Sequence, residues 1–358
     1  MFYRETGQFK TSYASDQAIF PIAQDRWFIA LVFVVAFALV PFIANEYWLQ
    51  AIIIPFLIFS LATIGLNLLT GYTGQLSLGT GAFMAVGAYA TYKITTSFPD
   101  INILVVYLMS GLAAAAVGTL FGLPSLRIKG FYLAVATLAA QFFILWLFNK
   151  VGWFYNNNPS GSITAPPRTM FGIMISGPEA TPMVRYYVSL IFLCVMGLAA
   201  KNLMRGRIGR SWMAIRDMDI AAELIGIEPL KTKLLAFAIS SFYCGVAGAL
   251  FIFAWLGSAE TEAFDIFVSF QVLFMIIIGG LGSILGSILG AAFITLTPIF
   301  LTNFPPMIGL PIATDLSKHL EEIIFGALIV FFLIVEPLGL ARLWQIIKEK
   351  LRLWPYSY

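Results

Sequence analysis

Leu31–Ile43 is an unbroken run of apolar residues, and similar runs follow one another along the whole chain. That pattern decides what the chain can fold into. A bilayer core about 30 Å thick takes about 20 apolar residues per helix. It offers backbone polar groups no water, so only helices and closed barrels cross it. Barrel strands alternate apolar and polar positions, and these runs do not. The prediction is an all-α fold, a polytopic transmembrane helical bundle of about ten helices in a single domain over residues 1–358. Composition excludes a soluble globule: 11% of residues are charged, against about 25% in soluble domains.

The length rule places spans near 27–45, 48–70, 79–96, 101–122, 131–149, 183–203, 234–257, 266–280, 284–303 and 320–337. Charge supplies the orientation, because short cytoplasmic loops concentrate Lys and Arg. Residues 204–233 form a polar island holding Arg205, Arg207, Arg210, Arg216, Lys231 and Lys233. Placing that island in the cytoplasm also places Arg127, Lys129 and the basic tail there, so both termini are expected to be cytoplasmic. The opposite connections hold Lys150, Arg168, Arg185 and Lys318 beside Asp100, Glu179, Glu260, Glu262, Asp265 and Asp315. Residues 1–26 are polar and of mixed charge, unlike a secretory signal. They read as a cytoplasmic N-terminal segment before a retained first helix. The tail 338–358 sets Leu340, Leu343, Trp344, Ile347, Leu351 and Trp354 among basic residues, the pattern of an interfacial helix.

Two stretches are irregular. Gly279-Gly280-Leu281-Gly282 cuts a long apolar run and is either a tight turn or an intramembrane break. Gly71–Gly81 is too polar and glycine-rich for a lipid-facing helix, and is expected to lie against protein or a water-filled path. Residues 150–182, with Asn156–Gly161 and Pro166-Pro167, read as a long loop. No strict internal repeat is evident.

Within the island, Ile215, Met218, Ala222 and Ile225 follow helical spacing, with Arg216, Asp219 and Glu223 opposite. The spacing predicts one helix of about three turns, a small centre at Ala221-Ala222 and an end at Gly226. Such a helix fits a partner's groove or packs on its own protein. Gly282, Gly286 and Gly290 recur every fourth residue, as do Gly118 and Gly122. They predict close helix packing, within the chain or against a second membrane subunit. Asn67, Gln75, Ser77, Thr80, Thr137 and Gln141 are uncharged polar residues in or beside spans. They either line a translocation path or tie helices together. Cys194, Cys244 and the lone His319 suggest no disulfide framework, metal site or cofactor.

The stretch Gly206–Gly226 resembles the cytoplasmic coupling loop of permeases of ATP-binding-cassette importers, most of all the LivM-type branched-chain amino acid permeases. Leu66–Gly79, Leu126–Leu138, Gly279–Ser283 and Glu336–Leu340 are similar to that family too. The resemblance spans roughly residues 60–340. It implies a second related permease, two cytoplasmic ATPase subunits, a periplasmic solute-binding protein and a bacterial inner-membrane location. It assigns ATPase coupling to Arg216, Asp217, Ala221, Ala222 and Gly226. ATP hydrolysis is expected in the partner subunits, since this chain has no G-x-x-x-x-G-K-[ST] loop. Asn156–Gly161 stands where the family usually carries paired glycines, which leaves urea or short amides open beside amino acids as the solute. A secondary transporter or channel would want acidic residues within spans or inverted repeats, and neither is evident. A membrane-embedded enzyme would want clustered catalytic groups.

Overall fold

The computed structural model describes residues 11–12, 23–125, 131–170, 172–307, 314–335 and 338–353. Arg127, Lys129, Glu336, Pro337, Trp354 and most of the N-terminal segment lie outside them, so the motif pieces there receive no structural account. Each of the ten expected spans contains a helix. Among the described residues eight stretches are long and apolar enough to cross a membrane: α1 (Arg26–Ile43), α2 (Trp48–Thr73), and, with α3 (Thr80–Ser97) intervening, α4 (Ile103–Ser125), α5 (Phe131–Lys150), α6 (Pro182–Arg205), α9 (Pro229–Leu256), Thr261–Gly279, whose α-helical part is α10 (Ile266–Gly279), and α11 (Ile284–Met307). The tenth is α12 (Thr314–Val335), and the tail forms α13 (Gly339–Leu353). The polar island supplies α7 (Arg207–Asp217) and α8 (Asp219–Leu224).

α2 and α9 form the centre and are mostly enclosed by protein, whereas α1 is the least enclosed of the eight. α9 packs on α2, α3 and α4, and α10 packs on α11. Lipid is as apolar as leucine, so helices in a bilayer associate through close packing of small residues. Gly118 and Gly122 serve that purpose on α4. A Cβ on Gly118 would lie 2.1 Å from Ser241 Oγ, and one on Gly122 would lie 3.1 Å from the Phe237 ring, both on α9. Gly286 and Gly290 bring α11 onto α10, where a Cβ on Gly290 would sit 1.9 Å from the Met275 carbonyl oxygen. Gly282 does not share that face. It precedes α11 and takes a φ of +77° in the turn, so the four-residue repeat is a coincidence of spacing at its first member. These four helical glycines pack within the chain.

The glycine cluster is a tight turn joining α10 to α11. Gly74–Gly79 is non-helical between α2 and α3, as its composition suggested. The long connection 150–182 is more ordered than a loop. It carries β1 (Ile163–Thr164), β2 (Arg168–Met170) and β3 (Ile173–Ser176); β2 pairs with β3, and β1 pairs with β4 (Ser258–Ala259) after α9. Arg168 donates to the carbonyl oxygens of Thr95 and Pro99, tying this region to the end of α3. α1, α2 and α9 each contain a π-helical turn. In α1 and α2 the turn is followed by a proline, Pro41 and Pro55, at the second residue of the resumed α-helix. A π turn gives room where the ring would clash with a preceding carbonyl.

Candidate functional site

The basic loop and the ends of three spans assemble at one end of the bundle. Trp212 anchors the loop: it is fully buried, and its Nε1 donates to the Thr232 carbonyl oxygen at 3.1 Å. Gly209 lets α7 meet the backbone of Met204 at the end of α6. The helix does not continue as the spacing predicted. Met218 is extended, with φ −161° and ψ 94°, and splits the island into α7 and α8. A stripe at 3.6-residue period requires one unbroken helix, and the extended residue resets the phase. Ile215 and Ala222 therefore point inward, while Met218 and Ile225 point out.

Ala222 is 1% exposed, so it packs on its own chain rather than presenting a surface to a partner. The outward face of α8 and its flanks is instead Met218 (67% exposed), Ile220 (67%), Leu224 (84%) and Ile225 (75%), with Ala221 beside them. Gly226, at φ +89°, ends α8 in a left-handed cap, and the Ile227 N–H donates back to the Ala222 carbonyl oxygen at 3.0 Å. Lys233 of α9 reaches Asp219 at 3.8 Å, and Lys231 pairs with Glu228 at 2.6 Å. The result is an apolar tip on a braced support.

Arg216 links that support to the bundle. Its Nη1 donates to the Gly71 carbonyl oxygen at 3.0 Å, and its Nε pairs with Asp217 at 3.0 Å. Gly71 lies in the last turn of α2, where unpaired carbonyls and the helix dipole favour a cation. A Cβ on Gly282 would lie 3.3 Å from the same Nη1, so the α10–α11 turn passes close beside Arg216. Asn67 of α2 holds that turn from within. Its Oδ1 accepts from the Gly282 N–H at 2.8 Å, and its Nδ2 donates to the Ser283 carbonyl oxygen at 2.9 Å and to Ser287 Oγ at 2.7 Å.

Four of the six polar residues considered for a path make side-chain hydrogen bonds that tie backbone segments together. Asn67 belongs to the turn clamp. Gln141 and Thr137 form a second clamp, around the start of α3. Gln141 Oε1 accepts from the Ala82 N–H at 2.6 Å and its Nε2 donates to the Phe264 carbonyl oxygen at 2.8 Å. Thr137 Oγ1 accepts from the Leu78 N–H at 2.9 Å. Ser77 accepts from the Gly79 N–H at 3.4 Å. Thr137 and Ser77 thus satisfy the Leu78 and Gly79 N–H groups of the non-helical segment, and Gln141 satisfies the Ala82 N–H in the first turn of α3, all in an apolar setting. Gln75 and Thr80 are buried and have no side-chain hydrogen-bond partner among the described residues.

A model of the permease component of the branched-chain amino acid transport system matches residues 48–333. The high-affinity branched-chain amino acid transport system permease protein LivM of Salmonella typhimurium is 30% identical over 304 residues, covering 79% of this chain and 68% of the relative. The LivM protein of Escherichia coli K12 matches to the same extent. The fructose import permease protein FruG of Bifidobacterium longum is 24% identical over 279 residues, 74% of this chain and 75% of the relative. No solved structure matches significantly.

Proposed function

Because the chain belongs to the family of branched-chain amino acid transport system permease components, we propose that it is the membrane-spanning subunit of an ATP-driven importer whose α8 tip docks in a groove of a cytoplasmic ATPase subunit. The observation that carries this is the exposed apolar set Met218, Ile220, Leu224 and Ile225 on a loop braced by Trp212, Arg216 and Lys233. Exposed apolar side chains on a polar loop gain by burial against a partner, and a short apolar helix is a common element of groove recognition. Arg216 and Asp217 brace the loop, Ala222 packs its base, Ala221 joins the docking face and Gly226 ends the helix.

In this reading the loop and both termini are cytoplasmic. The complex holds a second related permease, two ATPase subunits and a periplasmic solute-binding protein in a bacterial inner membrane. The solute is a small polar or zwitterionic molecule, with branched-chain amino acids supported by the LivM relatives. Gln75 and Thr80 remain the path candidates, because their polar atoms are not used elsewhere. Closure of the ATPases would push α8; Arg216 would pass the motion to α2 and to the α10–α11 turn, rocking packed helices as rigid bodies.

The test is co-purification. Leu224→Asp should leave the permease inserted and folded but release the ATPase subunits and abolish ATP-dependent uptake. Wild-type retention of the ATPase together with normal uptake would overturn the docking role.

A further inference from the structure

Helix α13 has no role in the mechanism above, yet it is bolted to the turn that the mechanism moves. Gly339, at φ +64°, packs so closely that a Cβ there would lie 2.5 Å from the Ile278 carbonyl oxygen. A Cβ on Gly280 would in turn lie 2.4 Å from the Leu338 carbonyl oxygen and 3.1 Å from Ala341. The turn so gripped carries Gly282, which lies beside Arg216 and is held by Asn67.

The rest of α13 leaves this anchor with a two-sided pattern. Leu340, Leu343, Trp344 and Ile347 lie on one stripe, and Leu343, Trp344 and Ile347 are exposed. At 3.6 residues per turn, Lys348 and Lys350 fall about 80° to either side of that stripe, and Arg342 and Glu349 fall opposite it. Apolar centre, lysine flanks and a polar back are what a helix needs to lie in a bilayer interface. Its level is fixed by a contact. The Trp344 ring sits 5.9 Å from that of Phe28, near the N-terminal end of α1, the least covered span. The end of a spanning helix lies near a membrane boundary, which puts the stripe of α13 at that level.

We propose that α13 is a surface helix that binds anionic phospholipid headgroups through Lys348 and Lys350, and that its docking fixes the Gly279–Gly282 turn beside which Arg216 lies. The lipid contact stands independently of the importer reading; only its effect on coupling rests on that reading.

The test uses the full chain in nanodiscs, with Cys194→Ser and Cys244→Ser and a spin label on Leu343→Cys or Gln345→Cys. The expected result in phosphatidylcholine containing phosphatidylglycerol is a label at 343 open to oxygen and shielded from an aqueous nickel chelate, with the label at 345 open to the chelate. Each lysine near an anionic surface contributes about fivefold. Lys348→Gln with Lys350→Gln should therefore shift the ratio of docked to undocked helix about thirty-fold toward undocked, as should removal of phosphatidylglycerol. Equal aqueous access at 343 and 345, or docking indifferent to lipid charge, would overturn the proposal. So would shielding of 343 that appears only when ATPase subunits are added, which would make α13 a protein-docking face. Because no ATPase is needed for the primary readout, failure here leaves the docking role of α8 untouched, and failure of that role leaves this result standing.

Discussion

Arg216 donates a hydrogen bond to the carbonyl oxygen of Gly71, 145 residues earlier in the chain, at 3.0 Å. One guanidinium thus joins the base of an exposed apolar tip to the end of the most enclosed span. Removing it should separate the two. Arg216→Ala forfeits a charge-assisted bond of about 1.5–3 kcal/mol. Solute-stimulated ATP hydrolysis in the reconstituted complex should fall while the ATPase stays bound. Arg216→Lys keeps the charge without the fork of donors, and should restore only part of the stimulation.

Asn67 is predicted to tolerate no close substitute. Asn67→Ala leaves the Gly282 N–H unpaired at about 1–3 kcal/mol. Asn67→Asp keeps that acceptor but loses donation to Ser283 and Ser287 and adds a buried charge. Thermal unfolding in detergent should rank wild type above Ala and Ala above Asp. An Asp variant as stable as wild type would show that the clamp is dispensable.

Two glycines should respond in opposite measure. A Cβ on Gly226 meets nothing within 4 Å, so Gly226→Ala costs only its left-handed backbone, about 1–2 kcal/mol. A Cβ on Gly290 would overlap the Met275 carbonyl, so Gly290→Ala must separate α10 from α11. Expression and melting temperature should drop far more for the second.

Ala222 and Leu224 distinguish folding from docking. Ala222→Arg forces a charged side chain into a site that is 1% exposed, and should open the loop to limited proteolysis. Leu224→Asp changes a surface residue, an effect usually within about 0.5 kcal/mol, and should leave the proteolytic pattern unchanged.

Much of the fold was legible because hydrocarbon imposes simple rules. Span length, glycine at close crossings and the unsuitability of Gly71–Gly81 for a lipid-facing helix all follow from local sequence. The α8 tip was not, because an extended Met218 is a tertiary outcome: Trp212 and Arg216 hold α7 against the bundle, and the helical stripe drawn through Met218 assumed no break. Asn67 and Gln141 were visible as polar residues inside spans. Their partners, Gly282 and Phe264, lie 215 and 123 residues away, and nothing in a single sequence pairs them. Trp212 was passed over because an aromatic residue in a polar island looks like an exposed one.

The most direct test places a photoreactive benzoylphenylalanine at Leu224 in the intact complex, with a control at Leu112, exposed on the span α4. Irradiation should join position 224, and not position 112, to a nucleotide-hydrolysing subunit. Capture of lipid alone at 224, or labelling of that position by a reagent confined to the outside of the membrane, would contradict the docking of α8 on a cytoplasmic motor.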